Sequence, residues 1–136
     1  YYARSRMFSC ALDPAVTGGL VKAVELAGSE DGDIKRKRII KNSDYLRSLL
    51  QDKVDIGTST TWIVPIIYGD ERLTLPVSDY LQKEGIDISL MTFPAVSKNR
   101  SRIRAFVTSE HTKEQLDKGA EVILKAAKKY NFLKDS

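Results

Sequence analysis

SRIRAFVTSEHTKEQLDKGAEVILKAAKK, residues 101–129, changes its period partway along. Over 101–108 apolar and polar side chains alternate, the mark of a strand. From Thr112 onward Leu116, Ala120, Ile123 and Ala127 recur at three- and four-residue steps, the stripe of an amphipathic helix over 112–130. At the junction, Thr112-x-x-Gln115 has the spacing of a capping box, in which each side chain satisfies a backbone N–H at the helix start. A strand feeding a capped helix is half of a two-layer unit. This strand also carries Arg102 and Arg104 among apolar neighbours, and such side chains are costly to bury unless a fixed anion meets them.

Working outward, IDISLMTF (86–93) alternates briefly and predicts a second strand. TTWIVPIIYG (60–69) predicts a third, with Pro65 placing it at a sheet edge or at a bulge. Between them LPVSDYLQKEG (75–85) reads as a short helix, with Thr74 as its N-cap and Gly85 closing it. Toward the N-terminus, PAVTGGLVKAVELA (14–27) has apolar residues at helical spacing behind an Asp13–Pro14 cap. Gly18 and Gly19 weaken that helix and predict a close neighbour. GSEDGD (28–33) predicts a turn, and 34–51 a helix with Ile39, Leu46, Leu49 and Leu50 on one stripe. Helices followed by β–α–β–β–α imply an α+β fold, a two-layer sandwich with a small, mostly antiparallel sheet and helices on one face.

The 136 residues suit one compact core, and no apolar run is long enough for a membrane span. The start has no initiator methionine and no signal-like stretch, and it reads as the interior of a longer chain. One cysteine, Cys10, allows no internal disulfide and predicts a reducing, cytoplasmic setting. One histidine, His111, removes most metal-ligand clusters and makes a His-based triad within this chain hard to assemble. Net charge is +4, from 22 Lys+Arg against 18 Asp+Glu, enough for weak attraction to anions. KRKR (35–38) resembles a nucleic-acid patch, but no aromatics are interleaved for base stacking, so a solvated helix face is expected and no nucleic-acid partner.

Taken in order, three stretches resemble one family. MFSCALDPAV (7–16) is similar to the Phe-Ser-x-x-Leu-Pro-Pro-Ala segment of the α-oxoamine synthases. WIVPIIYGDE (62–71) resembles their hydrophobic-Pro-hydrophobic-Gly-Asp strand end. GIDISLMTFPAVSKNRSRIRAFVTSEHTKEQLDKG (85–119) resembles their C-terminal signature: a glycine-led strand, a Pro-Ala-Val loop, Arg-(Ile/Leu)-Arg and a His-Thr helix start. The family's members are pyridoxal-phosphate enzymes of fold type I that condense an amino acid with an acyl thioester, usually acyl-CoA. The resemblance implies residues 1–33 at the end of a large domain with its connecting helix, and 34–136 as the C-terminal small domain. It also implies a homodimeric parent enzyme whose Schiff-base lysine, pyridine-pairing aspartate and ring-stacking histidine lie upstream of Tyr1. The 136 residues alone are then inactive, with no catalytic residue and no cofactor of their own. A free-standing, noncatalytic module that binds an anion or a protein is the alternative.

Within that resemblance, Arg104 corresponds to the arginine that grips the substrate's α-carboxylate, work suited to a planar guanidinium held on a strand. Arg102, on the same strand face, is expected in a structural ion pair, with the phosphates of the acyl thioester as the other option. Ser9 corresponds to the hydroxyl that reaches the cofactor phosphate across the subunit interface; a backbone hydrogen bond is its other reading. Cys10 stands where threonine is usual and is expected buried and inert, and Asp13 replaces the first proline of the usual pair. Lys98 matches a basic loop residue, not the imine lysine, and His111 a helix-start residue bonded to backbone. Trp62 and Tyr68 are assigned to strand packing.

Overall fold

The computed structural model describes residues 11–134. The chain divides into a small unit up to Lys35 and a larger one from Arg36, and each is described by itself. In the small unit, α1 (Pro14–Ala27) starts as its sequence predicts. The Asp13 carboxylate accepts the N–H groups of Ala15 and Val16 at 2.8 and 3.1 Å, and Pro14 sits where a missing N–H costs nothing. Its stripe of Val16, Leu20 and Val24 is exposed. Among the described residues nothing comes within 4 Å of a Cβ built on Gly18 or Gly19, so the close neighbour expected there is not found.

The turn expected over 28–33 shrinks to Gly28 and Ser29, because Ser29 caps the next helix at once. Its hydroxyl accepts the Gly32 N–H at 3.3 Å, and α2 (Glu30–Leu50) begins with Glu30, Asp31 and Asp33 at the positive end of its dipole. Gly32 is required here, since a Cβ would stand 2.5 Å from the Leu26 carbonyl oxygen.

In the larger unit, β1 (Ile63–Gly69), β2 (Ser89–Met91) and β3 (Ser101–Phe106) form an antiparallel sheet in the order β1-β3-β2. Ile103 pairs with Ile66 on one side and Leu90 on the other; Arg104 pairs with Pro65 and Ser89. β1 is an edge strand with a register shift between Ile67 and Gly69, as Pro65 predicted. The Ile67 N–H points out of the sheet to the Asp55 carbonyl at 2.8 Å. By alternation the Pro65 nitrogen faces outward too, so the ring removes no bond from the β1–β3 ladder. β2 is shorter than the predicted 86–93. α3 (Thr74–Lys83) ends in a Schellman closure: Gly85 takes φ 79°, and the Ile86 N–H is committed to the Leu81 carbonyl. Residues 86–88 therefore leave the helix before they can join the ladder.

Thr74 does not cap α3. A 3₁₀ turn, Glu71–Leu73, capped by the Asp70 side chain, runs straight into the helix, and buried Thr74 instead meets the Tyr68 hydroxyl at 3.2 Å. α4 (Lys113–Lys129) has both halves of the predicted capping box. It ends with Asn131 at φ 57° and the Phe132 N–H on the Ala127 carbonyl, which lays the Phe132 ring against Tyr68 at 5.7 Å.

The core lies on one face of the sheet. Val64, Ile66 and Ile103 meet Leu46 and Leu50 of α2, Val77 and Leu81 of α3, and Leu116, Ile123 and Ala127 of α4. Each fully buried Leu, Ile or Val contributes about 1.5–3 kcal/mol. The predicted α4 stripe is buried throughout, while on α2 the burial falls on Ser43, Leu46 and Leu50, with Leu49 packed at the margin. Arg47 fastens the 59–61 loop to α2, donating to the carbonyls of Ser59 and Thr61 and pairing with Asp44. The result is the α+β two-layer sandwich that the sequence predicts.

Candidate functional site

β3 is the central strand, and its alternation gives its two faces different fates. Ser101 and Ile103 are buried beneath the helices. Arg102 and Arg104 therefore project from the opposite face, which α2, α3 and α4 leave uncovered. Their neighbours there are Pro65 and Ser89 beside Arg104, and Ile67 and Met91 beside Arg102. Both arginines are half-buried. The Arg102 Nε donates to the Arg100 carbonyl at 3.1 Å, and neither guanidinium has an acidic partner among the described residues. The ion pair expected for Arg102 is thus not found there.

The loop from Thr92 to Arg100 runs along the end of this face. Thr92 and Ser101 share a hydroxyl contact of 3.1 Å, and Phe93–Pro94 is a cis peptide. The Asn99 N–H donates to Glu71 at 2.8 Å with Asn99 at φ 59°, and Arg100 lies 3.8 Å from Asp55. The two nearby carboxylates are therefore already engaged. Lys98 is exposed, with Nζ 5.4 Å from the centre of the Phe93 ring. From Ile88 to Ser109 the sequence holds Lys98, Arg100, Arg102 and Arg104 and no acid; Asp55 offsets Arg100 and Glu71 lies against the loop, which leaves Arg102 and Arg104 as the cations on the strand without an acidic partner among the described residues.

A concavity of about 440 Å³ opens on the helix side, away from the two arginines, between residues 85–88, the end of β3 and the first half of α4. His111 lines it, but that ring is occupied: Nδ1 accepts the Thr108 N–H at 2.9 Å, as its helix-start reading predicted. Asn42 of α2 clamps the same corner by donating to the carbonyls of Thr108 and His111, each at 3.0 Å. Tyr68 is in the core, whereas Trp62 is 52% exposed just before β1 and does not pack as expected. Ser9 and Cys10 lie outside the described residues. Among the described residues no cluster of three or more His, Cys, Asp or Glu could hold a metal, and no helix is long and apolar enough to cross a membrane.

Sequence reasoning missed Arg47, Asn42 and the Glu71–Asn99 contact. Each acts across a long stretch of chain, and no local period marks it.

A family model described as aminotransferase class I and II matches residues 3–123. The chain belongs to the aminotransferase class I and II family. Within it, 8-amino-7-oxononanoate synthase of Alkaliphilus metalliredigens (strain QYMF) is 37% identical over 131 residues, 96% of this chain and 33% of that protein. The chain spans about a third of the length of the curated relatives it matches. A structure of SPT with its PLP internal aldimine aligns with a TM-score of 0.84 at 20% identity, over 92% of this chain and 32% of that one. The 8-amino-7-oxononanoate synthase of Francisella tularensis gives 0.73 at 22% identity, over 96% and 38%. At those identities the solved structures speak for the fold alone. The relatives' names are those of α-oxoamine synthases, the family that the motifs resemble.

Proposed function

We propose that a family-length protein containing this chain is a pyridoxal-phosphate-dependent acyltransferase that condenses an amino acid with an acyl-CoA or another acyl thioester. The observation that carries the reading is Arg104: a guanidinium on the central strand, on the face without helices, with no acid to neutralise it among the described residues. Its role is to grip the α-carboxylate of the amino acid bidentately and hold the α-carbon in one orientation, which turns binding energy into rate. The strand fixes the direction of the grip, and Pro65 and Ser89 flank it.

The cofactor supplies an electron sink for α-carbon chemistry, and binding it takes a lysine imine and phosphate donors. The described residues do not fit that task. Lys98, the lysine nearest this face in sequence, is exposed and turned to Phe93. The cofactor's site therefore belongs to other parts of the protein, with Ser9 as this chain's contribution to its phosphate. In this reading residues 1–33 close a large domain, residues 34–136 form the C-terminal small domain, the enzyme is a cytoplasmic homodimer, and the 136 residues alone do not turn over.

The test is CoA release by the family-length protein, with pyridoxal phosphate and a panel of amino acids and acyl-CoAs. An Arg104→Ala variant is expected to raise KM for the amino acid about a hundredfold, as the loss of a charge-assisted bidentate contact implies. No CoA release with any pair, or an unchanged KM in the variant, would refute the reading.

A further inference from the structure

Arg102 is not needed by the carboxylate at Arg104. The two residues are same-face neighbours two positions apart, so their Cα atoms stand about 7 Å apart, and one carboxylate saturates one guanidinium. Two like charges held side by side, half-buried and without an acid, call for a second anion. Arg102 is also preset to receive one. Its Nε is spent on the Arg100 carbonyl at 3.1 Å, which fixes the plane of the fork and leaves both terminal Nη atoms without a partner among the described residues. The local acids are spoken for: Asp55 lies against Arg100, and Glu71 accepts the Asn99 N–H.

We propose that Arg102 binds a phosphate group of the acyl donor, beside the amino-acid carboxylate at Arg104. The choice of phosphate rests on the acyltransferase reading above; the second anion site itself rests on the geometry alone. A tetrahedral phosphate accepts from both Nη atoms at once, and exposed Lys98 on the neighbouring loop supplies a further positive charge for a carrier that bears more than one phosphate. The site thus ties the two substrates to neighbouring same-face positions of one strand.

Nitrogen-15 NMR of the arginine Nε–H signals in the family-length protein tests this directly, with coenzyme A, inorganic pyrophosphate and glycine as separate probes. Coenzyme A and pyrophosphate are expected to move the Arg102 signal saturably. Arg102→Gln should weaken both at least tenfold, and Arg104→Gln less than threefold. Glycine should show the reverse preference. Equal weakening by the two variants, or an Arg102 signal that neither phosphate compound moves, would overturn the proposal. In the family-length enzyme, Arg102→Gln should raise KM for acyl-CoA about tenfold and leave that for the amino acid within twofold. An unchanged KM for acyl-CoA, with turnover intact, would sink this inference and leave the acyltransferase reading standing. Phosphate binding at Arg102 without any turnover would do the opposite.

Discussion

Adjacent positions on β3 should respond oppositely to the same truncation. Ile103 is fully buried between Ile66 and Leu90 and touches the helix layer, whereas Arg104 lies on the uncovered face with no partner among the described residues. Ile103→Ala removes buried methylene and methyl groups and leaves a cavity in a sheet that cannot collapse around it, at a cost of about 2–5 kcal/mol. Total stability for a domain of this size is about 5–15 kcal/mol, so the loss is a large fraction of it. Arg104→Ala loses a half-buried stem and relieves repulsion from Arg102, and the two effects leave it within about 0.5 kcal/mol of the parent. With a urea slope of about 1.5 kcal/mol per molar, a 3 kcal/mol loss moves the unfolding midpoint down by about 2 M, against about 0.3 M or less for Arg104→Ala. Far-UV circular dichroism during urea titration reads both. Equal midpoints, or a larger drop for Arg104→Ala, would show that the two faces of β3 have been assigned the wrong way round.

Two glycines should give opposite signs. Gly85→Ala forces a side chain into φ 79° and is expected to cost about 1–2 kcal/mol. Gly119→Ala, inside α4 with open space around the new methyl, should stabilise by about 0.5–1 kcal/mol; thermal unfolding of the two variants compares them. The Tyr45 hydroxyl donates to Asp117 at 2.5 Å, and that bond, then slight burial and the Asp117 and Glu114 charges, hold its pKa above the usual 10.0. The folded state therefore favours the neutral phenol. This contribution is fully present below pH 10 and is lost as pH rises through the raised value. Absorbance titration of the phenolate should show Asp117→Ala lowering the Tyr45 midpoint, and identical curves would exclude the contact.

Much of this fold was legible because its signals are local. The Thr112-x-x-Gln115 box, the α4 stripe and the Asp13–Pro14 start each depend on residues within one or two turns, and each formed as read. Pro65 at an edge is also local, since a missing N–H cannot serve a central strand. The misreadings came where a neighbour outbid local propensity. Thr74 has the right chemistry for a cap, but the Asp70-capped turn had already started the helical path and Tyr68 claimed the hydroxyl. β2 lost its first residues to the closure of α3. The site was visible as an alternation of Arg102 and Arg104. The lack of an acid beside Arg102 was not, because it depends on where Asp55 and Glu71 finish in space.

The outward-facing ring of Pro65 has a consequence for molecules that meet in solution. Growth of a sheet from one copy to the next needs an unbroken row of exposed donors and acceptors. Along β1 that row is interrupted at Pro65, and at Ile67 it is already taken by Asp55. This margin of the sheet is blunted against edge-to-edge polymerisation even though the strand itself, rich in isoleucine and valine, has the composition of an aggregation nucleus.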